Sequence, residues 1–316
     1  MYNTTEMATR STLLLLLTTC GASASKGDSA RTILESFLSA PSEPAEPRPF
    51  RVIGAGFSRT GTTSITTALT TLGLRTFDAS TVMQTPGLVD LAAKAVRERP
   101  KVPSELLSAI TRLGFDATMD APMNALWKEQ ARHFPEARIL LSLRDNSSQW
   151  FDSFDRANTA FAPMESVPWS WLVKVGPLFK ELDAAYGCVH GYSRVEFLWV
   201  SYLHRRDMDR DCMAAAYDRL IEDAQSEFGD RVLLFNARQG WEPLCQFLNL
   251  TAPREPFPNA NSGTDILASY WLLRGGCVLY PTFPLLCAAV LAHIVRRCRS
   301  QDRLRFGAAA KVKKMK

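Results

Sequence analysis

The chain lacks the marks of a nucleic-acid-binding or zinc-binding protein. Its net charge is +5. Residues 296–316 hold nine Lys or Arg and one acid, a net charge of +8, so residues 1–295 carry a net charge of −3. Basic charge confined to one terminal run excludes a body that binds duplex DNA. None of the seven cysteines has a C-x-x-C or Cys/His spacing that suggests zinc, so no zinc site is expected. The body holds an odd number of cysteines, which excludes full pairing and implies no disulfide framework: Cys188, Cys212 and Cys245.

The N-terminal segment has the parts of a secretory signal peptide. Arg10 precedes a short apolar run from Leu13 to Leu17, and Ala22-Ser23-Ala24 supplies small residues for cleavage. An organelle transit peptide is the alternative, because the segment is rich in Ser and Thr and its apolar run is short. We therefore assign residues 1–24 to a signal peptide and the Pro-, Ser- and Glu-containing residues 25–49 to a linker.

The C-terminal segment predicts a membrane span. Residues 275–295 carry no Asp, Glu, Lys or Arg, and Trp271 and Arg296 lie at its two ends. A bilayer core needs about 20 apolar residues, so we predict a transmembrane helix over residues 271–295, with a buried core helix as the alternative. The positive flank predicts a cytosolic tail over residues 296–316 and a body in the lumen of the endoplasmic reticulum or Golgi. Membrane lipid is then a partner, and Lys313-Lys314 resembles a dilysine retrieval signal.

Between these ends, residues 50–265 alternate strand-like and helix-like segments. Short apolar runs at residues 51–55, 117–120, 138–143 and 232–235 are separated by segments with helical spacing. Such alternation requires crossover connections, and therefore predicts an α/β domain with a mostly parallel sheet and helices on both faces. Ligands of these folds bind at the carboxyl ends of the strands.

The first strand-to-helix turn, residues 54–64 (GAGFSRTGTTS), predicts a phosphate-binding loop. A dinucleotide fingerprint fits Gly54 and Gly56, but Arg59 stands at the third glycine. A Walker loop fits Gly56 and Gly61, but Thr62 replaces the phosphate-binding lysine, which argues against NTP hydrolysis. The third pattern, R-[ST]-G-T-[TS], places the cation before the glycine, at Arg59.

Residues 50–74, the segment Leu143-Arg144-Asp145, and the segments GWEPLC (240–245) and PFPNAN (256–261) together resemble the sulfotransferase family that uses 3′-phosphoadenosine 5′-phosphosulfate (PAPS). The resemblance is to a divergent branch found in microbial eukaryotes and bacteria, and it covers about 215 residues with the motifs in the same order. It implies a three-layer P-loop-like α/β fold, PAPS as co-substrate and no metal requirement.

The resemblance also implies which residues bind the nucleotide. Arg59 and the loop that follows would bind the 5′-phosphosulfate, through backbone N–H groups and hydroxyls of Thr60, Gly61, Thr62, Thr63 and Ser64. Arg144 would bind the 3′-phosphate with a serine eight residues on, where this chain has Asp152. The nearest serine, Ser153, is one step late, with Ser148 as a substitute. Asn261 would lie on a loop closing over the nucleotide. For Arg144, a surface salt bridge with Asp145 is the alternative.

The general base that the resemblance implies is Asp120, in the segment Asp120-Ala121-Pro122. Arg59 and Asp120 are thus the expected catalytic residues, because a carboxylate is ionised at neutral pH and can accept a proton. The alternative role for Asp120 is to cap the following helix. The expected function is a membrane-anchored sulfotransferase acting on a hydroxyl or amine acceptor of unknown class. A P-loop kinase, another nucleotide-dependent transferase, and a catalytically silent nucleotide-binding membrane protein are the alternatives.

Overall fold

The computed structural model describes residues 48–85, 87–165, 176–197 and 201–259, together with Gly275. The predicted signal peptide, nearly all of the linker, the predicted span, the basic tail and Asn261 lie outside these residues. Among the residues that are described, no helix combines the length and the apolar character needed to cross a bilayer.

A five-stranded sheet forms the centre of the domain and confirms the predicted α/β arrangement. Its order is β2-β3-β1-β4-β7, and each neighbouring pair is parallel. The strands are β1 (Val52–Gly54), β2 (Thr76–Phe77), β3 (Ala117–Thr118), β4 (Arg138–Ser142) and β7 (Val232–Phe235). A separate antiparallel hairpin consists of β5 (Val189–Phe197) and β6 (Ser201–Met208).

Successive strand residues point to opposite sides of the sheet, and the residues on both sides are buried. Ile53 and Ile139 join one apolar cluster, whereas Val52 and Leu140 join another on the opposite face. The described helices are α1 (Thr62–Thr71), α2 (Ala79–Gln84), α3 (Leu88–Arg97), α4 (Ser104–Arg112), α5 (Trp127–His133), α6 (Ser147–Phe161), α7 (Gly176–Tyr186), α8 (Arg210–Phe228) and α9 (Trp241–Leu248). Helices α1 and α9 cover one face and α3, α4, α5, α7 and α8 the other, which makes three layers.

The sequence does not imply a disulfide framework, but the structure shows one bridge, between Cys188 and Cys212. The β5–β6 hairpin separates the two cysteines in sequence and returns the chain to its starting point, which brings their Cα atoms to 5.6 Å. An odd number of cysteines excludes complete pairing but does not exclude one bridge. Cys245 is the cysteine left over, and it is free and buried.

Gly56 lies where the loop after β1 passes against β4 too closely for any side chain. A Cβ atom on Gly56 would lie 2.4 Å from the backbone oxygen and 2.7 Å from the backbone nitrogen of Ser142. We expect Gly56→Ala to lower the free energy of unfolding by about 2 kcal/mol or more, because the strand itself must shift. Urea denaturation measures this, with Gly176→Ala as the control because open space surrounds that position. Equal stability of the two variants would contradict the described packing.

Candidate active site

The loop between β1 and α1 lies at the carboxyl edge of the sheet, where ligands of parallel α/β folds bind. Gly61 precedes α1 in the left-handed conformation (φ 89°), and its carbonyl accepts from the Ile65 N–H at 3.0 Å. Arg59 is also left-handed (φ 73°), which is unfavourable for a residue with a long side chain. The loop therefore combines a helix N-terminus with a backbone conformation that is retained at some energetic cost.

The Arg59 guanidinium is a partly buried cation near Asp120. Its Nε is buried, and no hydrogen-bond partner for it exists among the described residues. Burial lowers the pKa of the Arg59 guanidinium below its ordinary value; nearby Asp120 opposes this effect, and nearby Arg144 and Arg156 add to it. Leaving a buried charged donor unpaired is costly, so an anionic ligand is the group that this position fits best.

Asp120 lies beside this loop, although more than 55 residues separate it from the loop in sequence. One carboxylate oxygen, Oδ1, accepts from the Ser58 hydroxyl and from the Ala121 N–H at 2.7 Å. The other, Oδ2, accepts from the Thr62 hydroxyl at 2.7 Å. The capping alternative is wrong, because Pro122 directly precedes the 3₁₀ turn Met123–Leu126 and no side chain caps that turn. The carboxylate is thus held by the loop between β1 and α1.

Thr60 has a structural side chain. Its hydroxyl donates to the Phe57 carbonyl at 2.6 Å and forms a second hydrogen bond with the Ser142 hydroxyl at 2.6 Å. Thr60 is 1% exposed, so its hydroxyl is committed to these internal hydrogen bonds. Gly61 directly precedes α1, and Thr62, Thr63 and Ser64 form its first turn, as the sequence predicts.

Arg144 follows β4 and contacts the loop directly. Its Nε donates to the Arg59 carbonyl at 2.8 Å, and its backbone N–H donates to the Tyr217 hydroxyl at 2.8 Å. The proposed salt bridge between Arg144 and Asp145 is not formed, because Asp145 pairs with Arg238 at 2.6 Å. Two arginines therefore lie side by side at the edge of the sheet.

Helix α6 supports the loop and carries Ser153. The Trp150 Nε1–H donates to the Ser58 carbonyl at 3.0 Å, which places this part of the helix against the loop. Ser153 lies three residues further, on the same side of the helix, and is 7% exposed. Ser148, the substitute, is exposed and accepts from Arg210 at 3.4 Å instead. The two serines therefore differ in burial, and the binding role of Ser153 stays a prediction.

Aromatic rings behind the loop form a group that sequence reasoning missed. Phe57 packs against Trp150 and Tyr217 at centroid distances of 4.9 and 6.1 Å, and Cys188 of the disulfide joins the same cluster. Sequence reasoning also missed Ser58, which donates to Asp120. Its hydroxyl lies within the predicted loop, and that position could have indicated a role in the site. Nothing in the spacing of Tyr217, which lies on α8, indicates a contact with Arg144.

The segment after α9 packs back onto the sheet. Phe257 contacts Phe235 and Trp241, and the Trp241 Nε1–H donates to the Glu255 carbonyl at 2.7 Å. These contacts place residues 255–257 beside the end of β7, and Asn259 follows as an exposed residue. The described part of the chain holds no cluster of His, Cys, Asp or Glu suited to a metal ion.

Comparison with known proteins identifies the family of this domain. Residues 51–266 match the model of the sulfotransferase domain, which covers more than half of the chain, and the chain belongs to that family. It is a transferase of the sulfotransferase kind. The chain is also similar to Ava biosynthesis cluster protein M of Aspergillus versicolor, with 25% identity over 219 residues that span 66% of this chain and 80% of the relative.

Proposed function

We propose that the chain transfers a sulfuryl group from PAPS to a hydroxyl or amine acceptor, with Asp120 as the general base. The observation that carries this proposal is the Arg59 guanidinium near the Asp120 carboxylate, because its buried Nε has no hydrogen-bond partner among the described residues. PAPS, when bound, supplies the sulfuryl group and leaves as 3′-phosphoadenosine 5′-phosphate. A cation and fixed backbone donors stabilise charge on the transferred group, so positioning and electrostatics account for catalysis.

Within this proposal each site residue has one task. Arg59 binds the 5′-phosphosulfate with the N–H groups at the start of α1. Arg144 and Ser153 bind the 3′-phosphate, and the proposed role of Asn261 is to lie on the loop over the nucleotide. The hydrogen bond between Arg144 and the Arg59 carbonyl supports this division, because it holds the two phosphate-binding arginines together.

The proton of the acceptor goes to the Asp120 carboxylate. The acceptor oxygen forms a bond to sulfur as the bond from sulfur to the bridging oxygen of the nucleotide breaks, and the acceptor O–H proton moves to the carboxylate. Base catalysis of this kind contributes about 10²- to 10⁴-fold to a rate. The short distance between the loop and Asp120 supports this role, because it places the base next to the expected position of the reacting group.

Label transfer tests the reaction. The full-length protein is incubated with sulfur-35-labelled PAPS and a panel of hydroxylated carbohydrates, tyrosyl peptides, lipids and small metabolites. We expect label to move to at least one acceptor class, and no transfer of phosphate from γ-labelled ATP. Transfer from ATP but not from PAPS would replace this proposal by a kinase, which Thr62 disfavours because it stands where a Walker loop has lysine.

We further propose that the protein is a single-pass membrane protein whose body faces the lumen of the endoplasmic reticulum or Golgi. The signal-like N-terminus, the uncharged residues 275–295 and the basic tail support the same topology. The Cys188–Cys212 disulfide supports it independently, because disulfides persist mainly in oxidising compartments.

Glycosylation distinguishes the two orientations. Asn249 of the sequon Asn249-Leu250-Thr251 is exposed at the end of α9, so a luminal body presents it to the glycosylation machinery. We expect treatment with an N-glycosidase to lower the apparent mass of the wild-type protein but not of Asn249→Gln. Asn146 is expected to stay unmodified, because its side chain caps α6 two residues from Arg144. An unglycosylated protein whose body is digested by protease added to the cytosolic side of intact microsomes would contradict the topology.

A further inference from the structure

Asp120 and the phosphate-binding loop share two hydroxyl groups. The Ser58 hydroxyl donates to Oδ1 of Asp120, and that oxygen also accepts from the Ala121 N–H at 2.7 Å. The Thr62 hydroxyl donates to Oδ2 at 2.7 Å. The two carboxylate oxygens are therefore not equivalent, because Oδ1 accepts from Ser58 and Ala121, whereas Oδ2 accepts from the hydroxyl of Thr62, the first residue of α1.

A hydroxyl has a single proton to donate. Carboxylate, phosphate and sulfate oxygens are acceptors only at neutral pH. The Thr62 hydroxyl lies in the loop proposed to bind the 5′-phosphosulfate, and its proton is already given to Asp120. It cannot donate to the carboxylate and to a bound anion at the same time.

We propose that Thr62 is a switch whose hydroxyl passes from Oδ2 of Asp120 to the 5′-anionic group of the nucleotide. This inference rests on the proposed function. When the hydroxyl leaves, Oδ2 loses a hydrogen bond that stabilises its charge, and Oδ2 is the atom that takes the acceptor proton. Nucleotide binding thereby uncovers the base, and the acceptor is activated only after the nucleotide has bound.

Ser58 has a different task from Thr62. Its hydroxyl and the Ala121 N–H keep Oδ1 in place, so the carboxylate does not rotate when Thr62 leaves. The Ser58 backbone is itself fixed, because its carbonyl accepts from Trp150 Nε1–H at 3.0 Å. Ser58 is thus a positioning residue for the base, and it has no direct contact with the nucleotide in this proposal.

A double-mutant cycle tests the switch by calorimetry with 3′-phosphoadenosine 5′-phosphate, which needs no acceptor. Asp120→Asn tolerates the left-handed backbone (φ 65°), and its amide oxygen still accepts from Ser58, but its amide nitrogen no longer takes the Thr62 proton. We expect Asp120→Asn to tighten nucleotide binding about fivefold in the wild-type background. The tightening should be clearly smaller in the Thr62→Val background, where no hydroxyl is exchanged.

The cycle separates the switch from simple charge repulsion. Loss of the negative charge acts equally in both backgrounds, so equal tightening in the two, or weaker binding of Asp120→Asn, would overturn the switch. If the wild-type protein does not bind the nucleotide, the proposed function itself fails and the inference with it. A crystal structure of the wild-type complex supplies a second criterion, because a Thr62 hydroxyl still bonded to Oδ2 beside a bound 5′-phosphate would also overturn the switch.

Ser58→Ala tests the positioning role. We expect kcat to fall about tenfold while the nucleotide dissociation constant stays unchanged, and Ser58→Thr to restore most of kcat because it keeps the hydroxyl. If Ser58 had a purely structural role, Ser58→Ala would instead lower the melting temperature and weaken nucleotide binding together. That result would overturn the positioning role.

Discussion

Replacing Arg59 by alanine is expected to weaken the binding of 3′-phosphoadenosine 5′-phosphate by about 100-fold and to lower kcat/KM for sulfuryl transfer by about 10³-fold or more. The reason is that the guanidinium is the charged donor of the loop, and burial makes its interaction with an anion stronger than in water. Calorimetry and label transfer measure the two effects.

The stability of the ligand-free Arg59→Ala protein distinguishes a binding role from a structural one. The buried Nε has no hydrogen-bond partner among the described residues, and burial affects the pKa of the guanidinium more than its attraction to Asp120 does, so removing the side chain mainly deletes a desolvated charge. We expect the melting temperature without nucleotide to stay the same or rise. Arg112→Ala, which removes an exposed arginine at the end of α4, is the matched control and should change neither binding nor activity. Normal nucleotide affinity in Arg59→Ala would contradict the site.

Replacing Asp120 by asparagine is expected to lower kcat by about 10²- to 10⁴-fold, since the amide cannot accept the acceptor proton. The shape of the side chain and the left-handed backbone are compatible with asparagine, so the fold should be retained and the nucleotide should bind at least as tightly as in the wild-type protein. Steady-state label transfer measures kcat, and calorimetry measures binding on the same preparation.

A matched substitution controls for the loss of one negative charge. Asp90→Asn removes an exposed carboxylate from the first turn of α3 and should leave kcat unchanged. A folded Asp120→Asn protein with full activity would exclude Asp120 as the base. Full loss of nucleotide binding in that variant would instead indicate that the carboxylate organises the loop.

The sheet and the loop could be predicted because their signals are local. Buried strands are recognisable in the sequence as short apolar runs. The GAGFSRTGTTS turn contains glycines that allow close approach of the backbone, and a helix begins within it. The structure places that turn after β1, where Thr62 donates a hydrogen bond to Asp120 and Arg59 interacts electrostatically with it. Strand β2 was missed because two residues carry no recognisable period.

The contacts that orient the site could not be predicted, because they join residues that are distant in sequence. The Arg144–Tyr217 hydrogen bond spans 73 residues, and the Trp150–Ser58 bond spans 92. Tyr217 lies on a helix whose amphipathic pattern explains burial but not a polar partner. The disulfide was missed for the same reason, since the hairpin that joins Cys188 to Cys212 gives no sign in the spacing that its ends meet.

The most direct test of the central claim is selective binding of 3′-phosphoadenosine 5′-phosphate to the full-length protein. At 100 times its dissociation constant, a ligand that binds only the folded state adds about 2.7 kcal/mol of stability, which raises the melting temperature by several degrees. We predict this rise for 3′-phosphoadenosine 5′-phosphate, with little or no rise for ATP and NAD. No rise with that nucleotide, or a larger rise with ATP, would contradict the assignment of the loop to PAPS.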